Sequence, residues 1–194
     1  MDIRETAETL CAFFLTLPEV KNAVLQGSIQ RNNQDEYSDI DLELDVSGSD
    51  NGAFLQRIPM LLNQIYPVIF HDYAPSLFPD SYIVSCAISE DNPFLIVDIK
   101  CSAVPHIQSI QKGDLACEKF PHILKLWIVN LKHYLRGCTC THDIERMYCK
   151  LFPHTLDSEK QMLLEVFDWL KENQTAKYAK YLQSCERYLF SARS

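Results

Sequence analysis

The sequence has few basic residues for its acidic content. Lysine and arginine total 18 against 26 aspartates and glutamates, which gives a formal net charge of −8. Proteins that bind nucleic acid without sequence preference depend on basic surface, so this balance argues against general nucleic-acid binding. The same acidity permits a cationic small substrate, but acidic surfaces are common and do not identify one.

The sequence also lacks a long apolar run and a secretory signal. No segment approaches the ~18 consecutive apolar residues of a membrane span. The start, MDIRETAETL, has no basic segment leading into an apolar stretch. We therefore expect a cytoplasmic protein with no membrane association. In that compartment the 8 cysteines are expected to stay reduced.

Zinc-binding spacing is missing as well. Cys138, Cys140, His142 and Cys149 follow the pattern Cys-x-Cys-x-His-x6-Cys, without the usual Cys-x2-Cys pair. Three of the four ligands would come from one short loop. We therefore favour ordinary thiols in a loop or core, with a zinc site as the alternative. No internal repeat is visible either.

The residues that are present predict an α+β fold in two parts. A hydrophobic content of 47% and a charged content of 23% are typical of a globular protein. Strand-like patterns dominate until Ser102, and helical patterns follow. We predict a first domain at 1–103, with a mixed β-sheet and flanking helices, and a C-terminal helical bundle at 104–194. The predicted first-part elements are helices 3–17 and 53–66, strands 22–26, 38–46, 68–73, 81–88 and 94–100, and an irregular loop at 74–80.

The second part has the patterns of about four helices. An apolar stripe from Phe120 to Leu135 ends at Gly137, a residue suited to a left-handed helix terminus. Three further helices are predicted at 141–151, 158–172 and 175–190, with Thr141, Ser158 and Thr175 as N-caps.

Basic residues follow one flank of the first of these helices. Lys125, Lys132 and Arg136 fall within roughly 40° of one another at ~100° per residue. An ordinary solvated helix face explains such a strip, and so does contact with an anionic ligand.

The sharpest chemical signal lies between Leu25 and Leu44. Gly27 and Ser28 follow an apolar run that ends at Leu25, and a glycine there allows close approach of a ligand such as a phosphate. Ser38-Asp-Ile-Asp-Leu-Glu-Leu44 then alternates acidic and apolar residues, as in a half-buried strand. Side chains two apart on a strand are roughly 6.5–7 Å apart on one face, so Asp39 and Asp41 can share a divalent cation.

A third carboxylate stands in a later strand. Asp98 interrupts the apolar run Phe94-Leu-Ile-Val-Asp-Ile99, where an unpaired buried charge would be costly. Either Lys100 or a bound metal would compensate that charge. His71 and Asp72 do not suggest a catalytic dyad, because neighbours in a strand face opposite sides.

Each half of this pattern also has an ordinary structural explanation. A Gly-Ser pair is common in turns, and alternating acidic and aliphatic residues occur in solvated edge strands. The two halves at this spacing, followed by an apolar strand with an aspartate, are less common.

Together, Gly27-Ser28-x-x-Arg31 and Ser38-Asp39-x-Asp41 resemble the signature of the nucleotidyltransferase superfamily that includes DNA polymerase beta and the small aminoglycoside and lincosamide nucleotidyltransferases. The resemblance implies Mg²⁺ as cofactor and a nucleoside triphosphate, such as ATP, as co-substrate. It also implies the site residues. The metal and catalytic residues would be Asp39, Asp41 and Asp98, and the nucleotide contacts Gly27, Ser28, Arg31, Ser38, Lys125, Lys132 and Arg136.

The implied reaction transfers a nucleoside monophosphate to a hydroxyl of a small molecule, with a cationic aminoglycoside or a lincosamide antibiotic as candidate acceptors. One alternative is a protein nucleotidyltransferase of a toxin–antitoxin pair, which modifies a tyrosine of its partner. Another is a catalytically silent nucleotide-binding module, which the presence of all three aspartates disfavours. The sequence leaves both a monomer and a homodimer open.

Overall fold

A computed structural model describes residues 2–74, 81–105, 110, 114–115, 118–138, 140–154 and 156–191. The predicted loop at 74–80 lies outside these residues except for Ala74, which ends a strand. The chain forms two compact units, one of Met1–Ser89 with Leu95–Cys117 and one of Glu90–Phe94 with Glu118–Ser194. The predicted boundary between two domains at residue 103 stays a prediction.

The first unit is a mixed five-stranded sheet with helices. Its strands lie in the order β1-β2-β5-β4-β3, and only β2 and β5 run parallel. The predicted α+β class is therefore confirmed. The elements are α1 Ile3–Leu15, β1 Asn22–Leu25, α2 Gly27–Gln30, β2 Ile40–Asp45, α3 Asn51–Leu62, β3 Phe70–Ala74, β4 Ser81–Ala87 and β5 Ile96–Ser102.

The two faces of the sheet differ because residue types alternate along its central strands. In β2 the buried Ile40, Leu42 and Leu44 alternate with half-buried acidic residues. The buried face shares one hydrophobic core with residues of α1 and α3, among them Leu10 and Phe54. We call this the packed face. The other face, which bears Asp41, Glu43, Asp98 and Lys100, is called the polar face.

The second unit is helical, as predicted. It contains α4 Lys119–Leu135, α5 Thr141–Tyr148, α6 Glu159–Asn173, a 3-10 helix Ala176–Tyr178 and α7 Ala179–Ser191. In its core the Trp127 ring stacks on Phe167 with centroids 4.8 Å apart. The indole nitrogen of Trp127 donates a hydrogen bond to the Leu163 carbonyl at 2.8 Å. This bond satisfies the one polar atom of a fully buried side chain.

The helix ends show which predicted caps form. Ser158 accepts a hydrogen bond from the Gln161 amide and caps α6, as predicted. The predicted cap at Thr141 is wrong. Cys140 occupies the N-cap position of α5, and the Thr141 hydroxyl donates instead to a carboxylate oxygen of Glu159. Thr175 is the N-cap residue of the 3-10 helix that leads into α7, but its side chain makes no capping hydrogen bond.

Two further features concern helix ends and length. Gly137 has a φ of 68° and follows the end of α4, which confirms the predicted left-handed terminus. Within the described part of the chain, no helix has the length and apolar character needed to cross a membrane.

Candidate functional site

Two of the predicted site carboxylates face each other across neighbouring strands. Asp41 of β2 and Asp98 of β5 are register partners in the parallel pair. Neighbouring strands lie roughly 4.7–4.9 Å apart, so both side chains leave the polar face at nearly the same point. Both residues are half-buried. Two carboxylates this close repel each other, and a cation relieves that repulsion.

Asp39 lies one residue before β2, which begins at Ile40. Asp39 is therefore outside the strand, and its placement on the same side as Asp41 stays a prediction. However, among the described residues no group of three or more histidine, cysteine, aspartate and glutamate side chains is arranged to hold a metal ion. The three aspartates therefore do not form a complete metal cage by themselves.

Gly27 joins the two halves of the sequence motif. It has a φ of +64°, and a Cβ built on it would lie 1.9 Å from Oδ2 of Asp41. The Gln26 amide donates to the Asp41 carbonyl at 2.9 Å, which fixes this approach. A side chain at Gly27 would therefore displace the Asp41 carboxylate. The sequence predicts the tight turn here but gives no sign of what the glycine contacts.

Ser28 has an unusual environment for a hydroxyl. Its Oγ is buried and has no hydrogen-bond partner in the described part of the protein. Buried polar atoms normally have a partner, so this oxygen is suited to a ligand that supplies one. Ser28 lies in the four-residue helix α2, which the sequence did not predict.

Arg4 of α1 holds the segment that follows α2. Its Nη2 donates to the Ile29 carbonyl at 3.3 Å and to Asn32 Oδ1 at 2.6 Å. Asn32 has a φ of 54°, a conformation that asparagine tolerates better than most residues. This role of Arg4 is not predictable from the sequence, because the contact joins residues far apart in the chain.

Arg31 and Ser38 occupy different settings within this segment. Arg31 is the exposed C-cap residue of α2. Ser38 is buried; its hydroxyl donates to Asp35 Oδ1 at 2.8 Å and accepts from the Asp35 amide at 2.9 Å. The Ser38 hydroxyl thus stabilises a turn before Asp39. That Arg31 and Ser38 contact nucleotide stays a prediction.

The surroundings of Asp98 differ from those expected. Lys100 pairs with Glu43, with Nζ 2.9 Å from Oε1, and so does not serve as the expected partner of Asp98. Instead, the Ser85 hydroxyl of β4 donates to Asp98 Oδ1. Asp98 itself is half-buried, although its neighbours Val97 and Ile99 are fully buried. The apolar run suggested deeper burial because sequence does not show which face Asp98 occupies.

His71 and Asp72 lie on opposite sides of β3, as predicted. His71 is exposed, whereas Asp72 is 2% exposed. The register places Asp72 opposite Ser85, so the side chains of Asp41, Asp98, Ser85 and Asp72 follow one line across four strands.

The predicted basic strip belongs to the helical unit. Lys125 and Lys132 lie in α4, and Arg136 is its C-cap residue. Lys132 is only 8% exposed and Lys125 is half-buried, whereas Arg136 is exposed. An ordinary solvated face therefore describes Arg136 but not Lys132. Contact between these residues and a nucleotide stays a prediction.

The similarity of this chain to known proteins is found among solved structures. No protein-family model matches the sequence, and no curated protein matches it. Among solved structures, the structure of E. coli MS115-1 CdnC with ATP is similar, with 18% sequence identity and a TM-score of 0.36. The similarity covers 98% of this chain but 65% of that one, so the chain spans less than two thirds of that protein's length. At this TM-score and identity, the similarity does not define a family.

Proposed function

We propose that the protein is a Mg²⁺-dependent nucleotidyltransferase whose centre is the polar face of the sheet. The observation that carries the proposal is the meeting of three residues: Asp41 and Asp98 are opposed across the parallel strands, and Gly27 lies against the Asp41 carboxylate. Paired carboxylates beside a tight glycine turn suit a reaction that brings a metal ion and a phosphate together.

The chemistry of the donors fits Mg²⁺ bound together with a nucleotide. Mg²⁺ prefers oxygen ligands, and proteins usually hold it with one or two carboxylates plus substrate phosphates. Asp39, Asp41 and Asp98 would supply the carboxylates. When bound, the ion would neutralise the negative charge of the triphosphate.

The proposed reaction is balanced without an additional reactant. A hydroxyl oxygen of the acceptor forms a bond to the α-phosphorus of the triphosphate, and the bond from that phosphorus to the β-phosphate oxygen breaks. Pyrophosphate leaves, and Asp98 accepts the proton of the hydroxyl as a general base. Gly27 leaves space for the Asp41 carboxylate beside the turn that would hold the phosphates.

Ser28 would donate a hydrogen bond to a phosphate oxygen. Because its Oγ is covered in the structure, this contact requires rotation of the side chain about χ1. Arg31, Ser38, Lys125, Lys132 and Arg136 are proposed as additional nucleotide contacts. These assignments rest on the motif resemblance and on positive charge.

We propose a small molecule as the acceptor, with aminoglycosides and lincosamides as the first candidates. The net charge of −8 permits a cationic acceptor without identifying one. The alternatives from the sequence, modification of a partner protein and silent nucleotide binding, predict different products.

The test incubates the full chain with Mg²⁺, each of four α-labelled nucleoside triphosphates, and a panel of aminoglycosides, lincosamides and tyrosine-containing proteins. The proposal expects a labelled small product that is lost with EDTA and with Asp41→Asn. Labelled protein would support the alternative enzyme instead. Nucleotide binding with no labelled product would contradict both enzymatic functions.

A further inference from the structure

Ser85 lies in β4, next to the central strand β5, and contacts Asp98, the proposed general base. It is 0% exposed, in β4 between the buried Val84 and Cys86. The antiparallel pairing of β4 with β5 places it directly opposite Asp98. Its Oγ donates a hydrogen bond to Asp98 Oδ1. A contact between directly paired residues has little freedom to change, because the backbone ladder fixes both Cα positions.

The hydrogen bond to Asp98 lowers the free energy of the buried Ser85 hydroxyl. Burial of a hydroxyl without a partner costs free energy, so the Ser85 side chain favours the conformation in which it donates. A hydrogen bond to a charged acceptor is stronger than one between neutral groups. Ser85 therefore restricts the rotation of the Asp98 side chain on its strand.

We propose that Ser85 is a positioning residue that orients the Asp98 carboxylate toward the reacting groups. The role of the oriented carboxylate rests on the proposed nucleotidyl transfer. Residues that orient metal-binding or catalytic groups typically contribute roughly 10–100-fold to affinity or rate. A change of about 1 Å in the position of a base is enough for a rate effect of this size.

The chain offers a matched control in Ser81. It belongs to the same strand and the same face as Ser85, is 2% exposed, and pairs with Ser102 instead of a carboxylate. Ser81→Ala therefore removes a buried hydroxyl from β4 without removing the contact to Asp98. Ser85→Thr keeps a hydroxyl at the tested position while adding a methyl group.

The experiment compares single-turnover rates, Mg²⁺–ATP affinities and melting temperatures of the wild type, Ser85→Ala, Ser85→Thr and Ser81→Ala. We expect Ser85→Ala to lower the single-turnover rate roughly 10–100-fold, with ATP affinity and melting temperature close to those of wild type. Ser85→Thr should recover most of the rate, and Ser81→Ala should retain it. Equal rates for Ser85→Ala and wild type, or equal losses in both alanine variants, would overturn the proposal.

Crystal structures of the wild type and Ser85→Ala provide a readout that does not depend on activity. We expect the Asp98 carboxylate to occupy one conformation in the wild type and to change conformation or become disordered in the variant. An unchanged Asp98 in Ser85→Ala would overturn the positioning role even in an active enzyme. If the wild type transfers no nucleotide but Asp98 moves in the variant, the proposed function fails and the structural role of Ser85 stands.

Discussion

The two faces of the sheet are built by the same strands but differ in burial and in residue type. On the packed face, β2 and β5 contribute fully buried residues such as Leu42 and Ile99. On the polar face the intervening residues are half-buried and charged, with Asp41 opposite Asp98 and Glu43 opposite Lys100. Alternation along a strand thus separates the core residues from the residues of the proposed site at a spacing of one residue. Substitutions on the two faces should therefore have opposite signatures.

The largest effect is expected at Asp98. In Asp98→Asn the amide keeps the shape of the side chain but does not accept the proton, so turnover should fall roughly 10²–10⁴-fold. Lys100 pairs with Glu43, so the change leaves no buried lysine without a partner, and thermal stability should change little. Single-turnover kinetics and a melting curve on the same preparation measure both quantities.

The opposite outcome for Asp98→Asn would be a loss of stability in place of a loss of turnover. A loss of about 3–5 kcal/mol in unfolding free energy, typical of a broken buried ion pair, would assign Asp98 to stability. A stable variant that binds nucleotide and turns over at the wild-type rate would refute its catalytic role.

The adjacent packed face should give the reverse result. Leu42 is 1% exposed in the core, and Leu42→Ala should lower the unfolding free energy by about 2–5 kcal/mol through lost burial and a cavity. Turnover per folded molecule should stay near the wild-type value. Urea unfolding and active-site titration test this expectation, and a large loss of turnover in fully folded variant would show that the two faces are not independent.

Gly27 tests how closely the turn and the carboxylate depend on each other. An alanine Cβ would lie 1.9 Å from Asp41 Oδ2, so Gly27→Ala should displace the carboxylate and lower turnover by about 10²-fold. Gly48→Ala is a matched control, because Gly48 also has a positive φ of 87° but has no atom within 4 Å of a built Cβ.

Both glycine variants should lose about 1–2 kcal/mol of stability from the left-handed backbone. Only the Gly27 variant should also lose turnover. Equal turnover in the two variants would show that the contact with Asp41 has no functional role.

The smallest effect is expected for the ion pair on the polar face. The side chains of Lys100 and Glu43 are 40% and 34% exposed, and pairs of this kind contribute about 0.2–1 kcal/mol. A double-mutant cycle with Lys100→Met and Glu43→Gln, followed by urea unfolding, measures the coupling. A coupling energy well above this range would show that the polar face also carries stability.

Much of the local structure could be predicted from the sequence. The 3.6-residue spacing of apolar residues predicted α1, α4 and α6, and the alternation of acidic and apolar residues predicted β2. These features depend on residues near one another in the chain. The exact ends were less predictable. Helix α3 begins at Asn51 because the Asp50 carboxylate accepts from the Ala53 amide, two residues before the predicted start.

Only the tertiary structure decided which distant residues meet. The register of β2 with β5 pairs Asp41 with Asp98, and the register of β4 with β5 places Ser85 opposite Asp98. The turn before β2 brings Gly27 against the Asp41 carboxylate. Sequence periodicity fixes which side of its own strand a residue occupies. It does not fix the register between strands, because a shift of two residues preserves every alternation while changing every partner. The sequence by itself therefore determined the candidate carboxylates, and the packing of the sheet determined their partners.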